Sequence, residues 1–177
     1  MPIGDSEETI RLHVDESTYR VVVDPRRTVL DLLREQLEIF SVKKGCDHGQ
    51  CGACTALVDG RRELTCLLLA VTCSGAEIIT AAGLTGVGYR LQRALVECDG
   101  LQCGYCTPGQ VCSAVGMLDE FTRRTPSNAA DDVRADPEWT EKEIAERMSG
   151  NICRCGAYRG IRAAIRQAAR NENTEAE

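Results

Sequence analysis

The sequence predicts an α+β protein in two parts, a small sheet followed by a helical bundle. Three observations carry this. β-rich runs with hairpin signals occupy the chain as far as Thr80, helical periodicity replaces them from residue 89, and the eleven cysteines fall largely into two sets, one in each part.

Residues 8–14 (ETIRLHV) and 19–23 (YRVVV) are rich in β-formers, and Asp15-Glu16-Ser17 between them marks a hairpin. Asp24-Pro25 ends the second strand, because proline cannot donate to a central ladder. Thr28 is the expected N-cap of VLDLLREQL, with Asp31 three residues on. Leu30, Leu33 and Leu37 recur at helical spacing and should face the sheet. A free amphipathic helix awaiting a partner is the weaker alternative, since so short a helix is marginal alone. After a cysteine loop, 55–58 reads as a strand, Asp59-Gly60 as a type I′ turn and 61–65 as the returning strand. Residues 67–71 are apolar, and 77–80 form the last strand. Hairpin, helix, loop, hairpin and final strand is the order of a β-grasp sheet, and this first unit spans 1–83.

Gly83 to Gly88 is glycine-rich and reads as a linker. The second unit, 89–170, begins with a helix over roughly 89–98. Thr107-Pro108 opens another that runs to about 124, with Arg123 and Arg124 suited to its C-terminal dipole. Residues 125–139 form a surface loop. Thr140 and Glu143 make a capping box for EKEIAERM, which Gly150 stops. Ile161, Ala164, Ile165 and Ala168 define a last helix, 158–170. Four helices should pack as a small bundle, leaving 171–177 as a frayed tail.

Composition excludes several function classes. The net charge of −6 comes with no basic stripe, which argues against nucleic acid or an anionic membrane as partner. Aromatics are only 4%, so the core must be built from Leu, Val, Ile and Ala. There is no apolar run of the ~18 residues a membrane span needs. MPIGDSEETI lacks a charged n-region and an apolar h-region, so the cytoplasm is the expected location. Thiols in such a setting are poor disulfide candidates, and eleven is an odd number; metal ligation explains them better.

Gly45 to Cys54, GCDHGQCGAC, sets Cys46, Cys51 and Cys54 at C-x4-C-x2-C spacing, and Cys66 follows after the hairpin. That is the ligand spacing of plant-type [2Fe-2S] ferredoxins. Side chains at Gly45, Gly49 and Gly52 would crowd the wrap, and backbone N–H groups in such a loop can donate to the sulfurs. Zinc fits less well, because the x4 spacing and distant fourth cysteine are not those of paired zinc ligands. A Rieske-like centre needs two histidines. Only His13 and His48 exist, and His13 lies on a strand; Asp47 and His48 read as loop-surface residues.

LQCGYCTPGQ adds Cys103 and Cys106 as C-x-x-C, and GNICRCGAYRGI adds Cys153 and Cys155 as C-x-C. Thr107-Pro108 puts the first pair at a helix N-terminus, where partial positive charge favours thiolates. Gly150 and Asn151 put the second just past a helix end. Two converging helix ends could hold a cluster, with an extended C-x-C turning both sulfurs one way and Arg154 the other. Spacing alone leaves a redox C-x-x-C or half a zinc site open, although a thioredoxin-like use would need a βαβ setting. Cys73, Cys98 and Cys112 sit in apolar or helical contexts and read as buried structural thiols.

Taken together, KKGCDHGQCGACT…C with LQCGYCTPG…GNICRCGAYRGI resembles the iron–sulfur subunit of the molybdenum hydroxylases, the xanthine oxidase family. The resemblance covers roughly residues 8–170. The 125–139 loop and EIAERMSGNICRCGAY are similar to the small subunit of bacterial heterotrimeric aldehyde oxidoreductases. It implies a plant-ferredoxin-like domain and a four-helix bundle, each with one [2Fe-2S] cluster, the second held by Cys103, Cys106, Cys153 and Cys155. It also implies a large subunit with a molybdenum–pterin cofactor and a middle subunit with FAD. This chain would pass electrons from molybdenum to flavin during oxidation of a substrate such as an aldehyde to a carboxylic acid. The bundle cluster should lie nearer molybdenum and the ferredoxin-like one nearer flavin. By the same resemblance Gln102 and Cys155 approach the pterin, and no residue of this chain is catalytic. Without the resemblance, Gln102 reads as an ordinary polar helix-end residue. The competing function is a free-standing two-cluster ferredoxin that shuttles electrons between partners.

Overall fold

The computed structural model describes residues 7–170; the tail 171–177 lies outside them. A five-stranded sheet in the order β2-β1-β5-β3-β4 is followed by four helices. β1 (Glu8–Val14) and β2 (Ser17–Val23) pair antiparallel, with Val14 opposite Ser17. The hairpin loop is therefore Asp15-Glu16 alone, one residue tighter than its composition suggests, and Asp15 takes φ 52° to close it. β3 (Thr55–Val58) and β4 (Arg61–Leu64) form the second hairpin, whose turn has positive φ at both Asp59 and Gly60. That is the type I′ turn the sequence predicts. β5 (Glu77–Ile79) runs parallel to β1 and antiparallel to β3, knitting the two hairpins into one mixed sheet.

Thr28 caps the segment after β2 as expected, its hydroxyl accepting from the Asp31 N–H at 3.1 Å. The expected nine-residue α-helix does not form behind it. α1 (Val29–Asp31) passes at once into a π-turn, Leu32–Gln36, in which the Leu37 N–H donates to the Leu32 carbonyl. Packing explains the change. Val29, Leu30, Leu32 and Leu33 are all fully buried, and a wider turn lets these near-adjacent residues reach the sheet together. Leu37 is left only partly buried.

Alternation on β1 buries Ile10, Leu12 and Val14, which join Val29, Leu30, Leu32, Leu33 and Ile78 in one core. A second core gathers Leu91, Leu95, Val111, Met117, Ile144, Ile161 and Ile165 between α2 (Val87–Glu97), α3 (Thr107–Thr122), α4 (Glu141–Arg147) and α5 (Tyr158–Arg170). The helical part is the four-helix arrangement that the periodicity implies. Phe121 and Trp139 meet edge-to-face at 4.9 Å, fastening the 125–139 loop to α3.

The glycine-rich stretch 83–88 departs from a plain linker. Gly88 is buried within α2, which starts two residues earlier than the sequence suggests. The Asp15 carboxylate accepts from the Thr80 N–H and hydroxyl, and the Gln92 side chain donates to the Ala81 carbonyl. The start of the crossing is thus tied both to the β1–β2 turn and to α2.

The Thr140 cap forms, but only half of the expected capping box. Thr140 accepts from the Glu143 N–H at 3.2 Å, while the Glu143 carboxylate turns instead to Arg147 at 2.5 Å and the Ser127 hydroxyl at 2.7 Å. Glu143 and Arg147 are 2% and 3% exposed. Arg147 also contacts Glu120 and donates to the Thr125 carbonyl. Arg62 of β4 reaches into this group, its Nε and Nη2 donating to Glu120 at 2.7 and 2.8 Å and its Nη1 to the Arg147 carbonyl at 2.6 Å. One ionic network therefore joins the sheet to α3 and α4.

Candidate metal centre

All eleven cysteines carry free thiols. Eight of them gather in four touching pairs. Cys46 meets Cys51 in the loop before β3, and Cys54 of that loop meets Cys66 just past β4. At the ends of the helices, Cys103 meets Cys155, and Cys106 meets Cys153. Each foursome has an outer and an inner pair. Cys54 and Cys66 are buried under the sheet core while Cys46 and Cys51 are half-exposed; Cys153 is buried and Cys106 half-buried while Cys103 and Cys155 are exposed.

The electrostatics follow that division. The backbone N–H of His48, with those of Gln50 and Cys51, draws the Cys46 thiol down to about 6. Burial pushes Cys66 up to about 12 and Cys106 up to about 11. The Tyr105 N–H, then the Cys155 thiol, lower Cys103. Donors aimed at sulfur recur in both sites: Gln50 N–H to Cys46 Sγ at 3.2 Å, Cys46 N–H to Cys51 Sγ at 3.4 Å, and Ala157 N–H to Cys153 Sγ at 3.4 Å. These N–H groups favour thiolate charge, as a metal-bound sulfur requires.

Two pairs per site suit a dinuclear group better than one tetrahedral ion. A [2Fe-2S] cluster instead takes two thiolates on each iron, and the chain presents them two by two. Gly45 is required by this wrap, since a Cβ there would stand 2.7 Å from the Cys51 sulfur. Asp47 and His48 are exposed, and the His48 ring contacts only the Cys46 carbonyl at 2.6 Å among its hydrogen-bond partners.

The C-x-C segment is not extended. Gly156, at φ 76°, donates its N–H to the Cys153 carbonyl at 3.1 Å and turns the chain back toward α5. The turn sends Cys153 inward and Cys155 outward, so the two sulfurs serve different pairs. Arg154 is exposed, as expected. Gln102 lies on the exposed loop between α2 and α3, beside Cys103, rather than on a helix end. Of the remaining thiols, Cys73 and Cys112 are buried, but Cys98 is only half-buried and contacts Gln167 Oε1 at 3.2 Å.

Sequence reasoning missed the joint between the two sites. The Ile152 N–H donates to the Cys51 carbonyl at 2.9 Å, linking a residue next to Cys153 with a residue of the first loop. Asn151 lies beside this contact, its side chain directed to Gly52, Thr55 and Gly109. Tyr105 spans the outer edge, its hydroxyl donating to the Lys44 carbonyl at 2.6 Å. Nothing local in the sequence marks these residues, because their partners lie roughly forty to a hundred positions away.

Two family models match the chain: a 2Fe-2S iron-sulfur cluster binding domain over residues 12–72 and a [2Fe-2S] binding domain over residues 80–166. The chain is 54% identical over 162 residues to the aldehyde oxidoreductase iron-sulfur-binding subunit PaoA of Escherichia coli, covering 90% of this chain and 71% of that one. It is 39% identical to the nicotinate dehydrogenase small FeS subunit of Eubacterium barkeri, covering 90% and 94%. The crystal structure of quinoline 2-oxidoreductase from Pseudomonas putida 86 superposes with a TM-score of 0.73 at 33% identity, covering 93% of this chain and 97% of that one.

Proposed function

Because the chain belongs to the family of iron–sulfur small subunits of the molybdenum hydroxylases, we propose that it carries electrons between a molybdenum–pterin centre on a large partner subunit and an FAD on another. Cys46, Cys51, Cys54 and Cys66 would hold one [2Fe-2S] cluster, and Cys103, Cys106, Cys153 and Cys155 the other. Each cluster, when bound, supplies storage for one electron. The observation that carries this reading is the double foursome: two sets of four thiols, each split into an inner and an outer pair, with the Ile152 N–H bonded to the Cys51 carbonyl between them.

The residues of this chain hold, insulate and orient. The inner pairs sit against the two cores, which keep water from one side of each site. Backbone N–H groups of the 46–51 loop and of Ala157 offset thiolate charge. Gln102 and Cys155 share the exposed rim of the second site, which supports a place for both beside the pterin. The first site then lies on the flavin side. The proposed units are 1–83 and 89–170, supported by the two separate buried cores. An aldehyde is the proposed substrate, following the name of the 54% identical relative. Among the described residues no helix is long and apolar enough to cross a membrane.

The test is purification under native conditions followed by anaerobic addition of an aldehyde. The chain should come out with two larger partners, and the visible iron–sulfur absorbance should bleach on addition. A stable chain purified alone with its clusters intact would favour the shuttle instead, and a colourless preparation would favour zinc.

A further inference from the structure

Three backbone segments meet between the two cysteine sets, too close for a Cβ at Gly52 or Gly109. A Cβ on Gly52 would stand 2.4 Å from the Gly150 carbonyl oxygen, and one on Gly109 would stand 2.3 Å from the Gly52 oxygen. The side chain that enters this joint from the 150–152 turn is that of Asn151, which is 6% exposed. Its amide nitrogen lies 3.0 Å from the Gly52 carbonyl, 3.2 Å from the Gly109 carbonyl and 3.3 Å from Thr55 Oγ1. Its own backbone carbonyl accepts from the Gln110 side chain at 2.9 Å. One residue thus binds the end of the first cysteine loop, the start of β3 and the first turn of α3.

Flanking residues give the arrangement its meaning. Gly52 follows Cys51, and Ile152 follows Asn151. The Ile152 N–H donates to the Cys51 carbonyl, and Cys153 comes next. Holding Gly52 against Asn151 therefore fixes the one backbone hydrogen bond that leads from a first-set cysteine to the neighbour of a second-set cysteine. A buried amide whose two N–H donors face three acceptors is strongly directional, and through it the Gly52 carbonyl, which also accepts from the Thr55 N–H and hydroxyl, is tied to the 150–152 turn. The Tyr105 bridge at the outer edge is half-exposed and makes one bond, so it cannot define the joint in the same way.

We propose that Asn151 is the positioning residue that sets the coupling between the two clusters, by clasping the Cys51–Gly52 peptide to the Ile152–Cys153 segment. This rests on the two-cluster reading above. Its action is on separation and orientation and not on ligation, because the Asn151 side chain contacts oxygen acceptors and no sulfur among its hydrogen bonds.

The test is electron paramagnetic resonance of the dithionite-reduced full complex, comparing the parent protein with Asn151→Leu and Thr55→Val. Each reduced cluster should split the signal of the other through their magnetic interaction, which falls steeply with separation. Asn151→Leu is expected to keep both signals and the full iron content while losing the splitting. Thr55→Val, which keeps the side-chain shape but removes both the acceptor for Asn151 and the hydroxyl that donates to the Gly52 carbonyl, should reduce the splitting and keep the complex assembled even if Asn151→Leu does not assemble. Unchanged splitting in Thr55→Val, or in an Asn151→Leu protein that retains both clusters, would overturn the proposal, as would a parent protein showing two unsplit signals. A parent protein with only one signal would instead overturn the two-cluster reading itself.

Discussion

The two cysteine sites reach the same arrangement by opposite routes. The first is local: three thiols come from one nine-residue wrap, Cys46 to Cys54, and the β3–β4 hairpin returns the fourth. The second is assembled from stretches almost fifty residues apart, and depends on α3, the 148–157 turn and α5 being packed before its thiols can meet. The first leans on an apolar core of Val, Leu and Ile under the sheet. The second leans on an apolar core plus a buried ionic group, Arg62, Glu120, Glu143 and Arg147. Local sites can form early and alone; the assembled one inherits every weakness of its supporting helices.

The sharpest way to break that comparison is to remove one inner thiol from each site. Cys54→Ser should abolish the first cluster and leave the second, and Cys106→Ser should do the reverse, each halving the iron content. Loss of both signals from Cys54→Ser would show that the assembled site depends on the local one. Next in size is Arg147→Met, which strands the Glu143 carboxylate in the core. It should cost about 3–5 kcal/mol in urea unfolding, with the second cluster released before the first. Leu33→Ala in the sheet core should cost about 3 kcal/mol by the cavity it leaves, and here the first cluster should be released first.

The mildest probe changes no residue. In the cluster-free chain the Cys46 thiol, held at about 6 against an ordinary 9.0, is already largely thiolate at neutral pH. A folded value below the unfolded one means that its contribution to stability is complete above about pH 9 and is lost as the pH falls through about 6. Iodoacetamide at pH 7 should therefore label Cys46 well ahead of Cys66 and Cys106, which burial holds at about 12 and 11. Peptide mass spectrometry reads the order directly.

What the sequence made legible was local chemistry. The cysteine spacing, the Asp59-Gly60 turn, the Thr28 and Thr140 caps and the four helices each depend on residues within a few positions of one another. Where distant groups compete, local pattern does not decide the outcome. Thr28 was correct as a cap, yet four buried side chains at 29, 30, 32 and 33 widened the turn behind it into a π-turn. Glu143 suited a capping box, but an arginine one turn later in a dry core is the stronger partner. The C-x-C segment turns because Gly156, at positive φ, closes its N–H on the Cys153 carbonyl just before α5 begins at Tyr158. In the sequence Asn151 marks only a position just past a helix end, and its role depends on Gly52 and Gly109, far away in the chain.

The eight paired thiols are proposed to hold two [2Fe-2S] clusters. Iron and acid-labile sulfide analysis of the native protein, with paramagnetic resonance after reduction, tests it most directly. The expected result is roughly four iron and four sulfide per chain with two distinguishable signals. Half that content with a single signal, or zinc in place of iron, would contradict it.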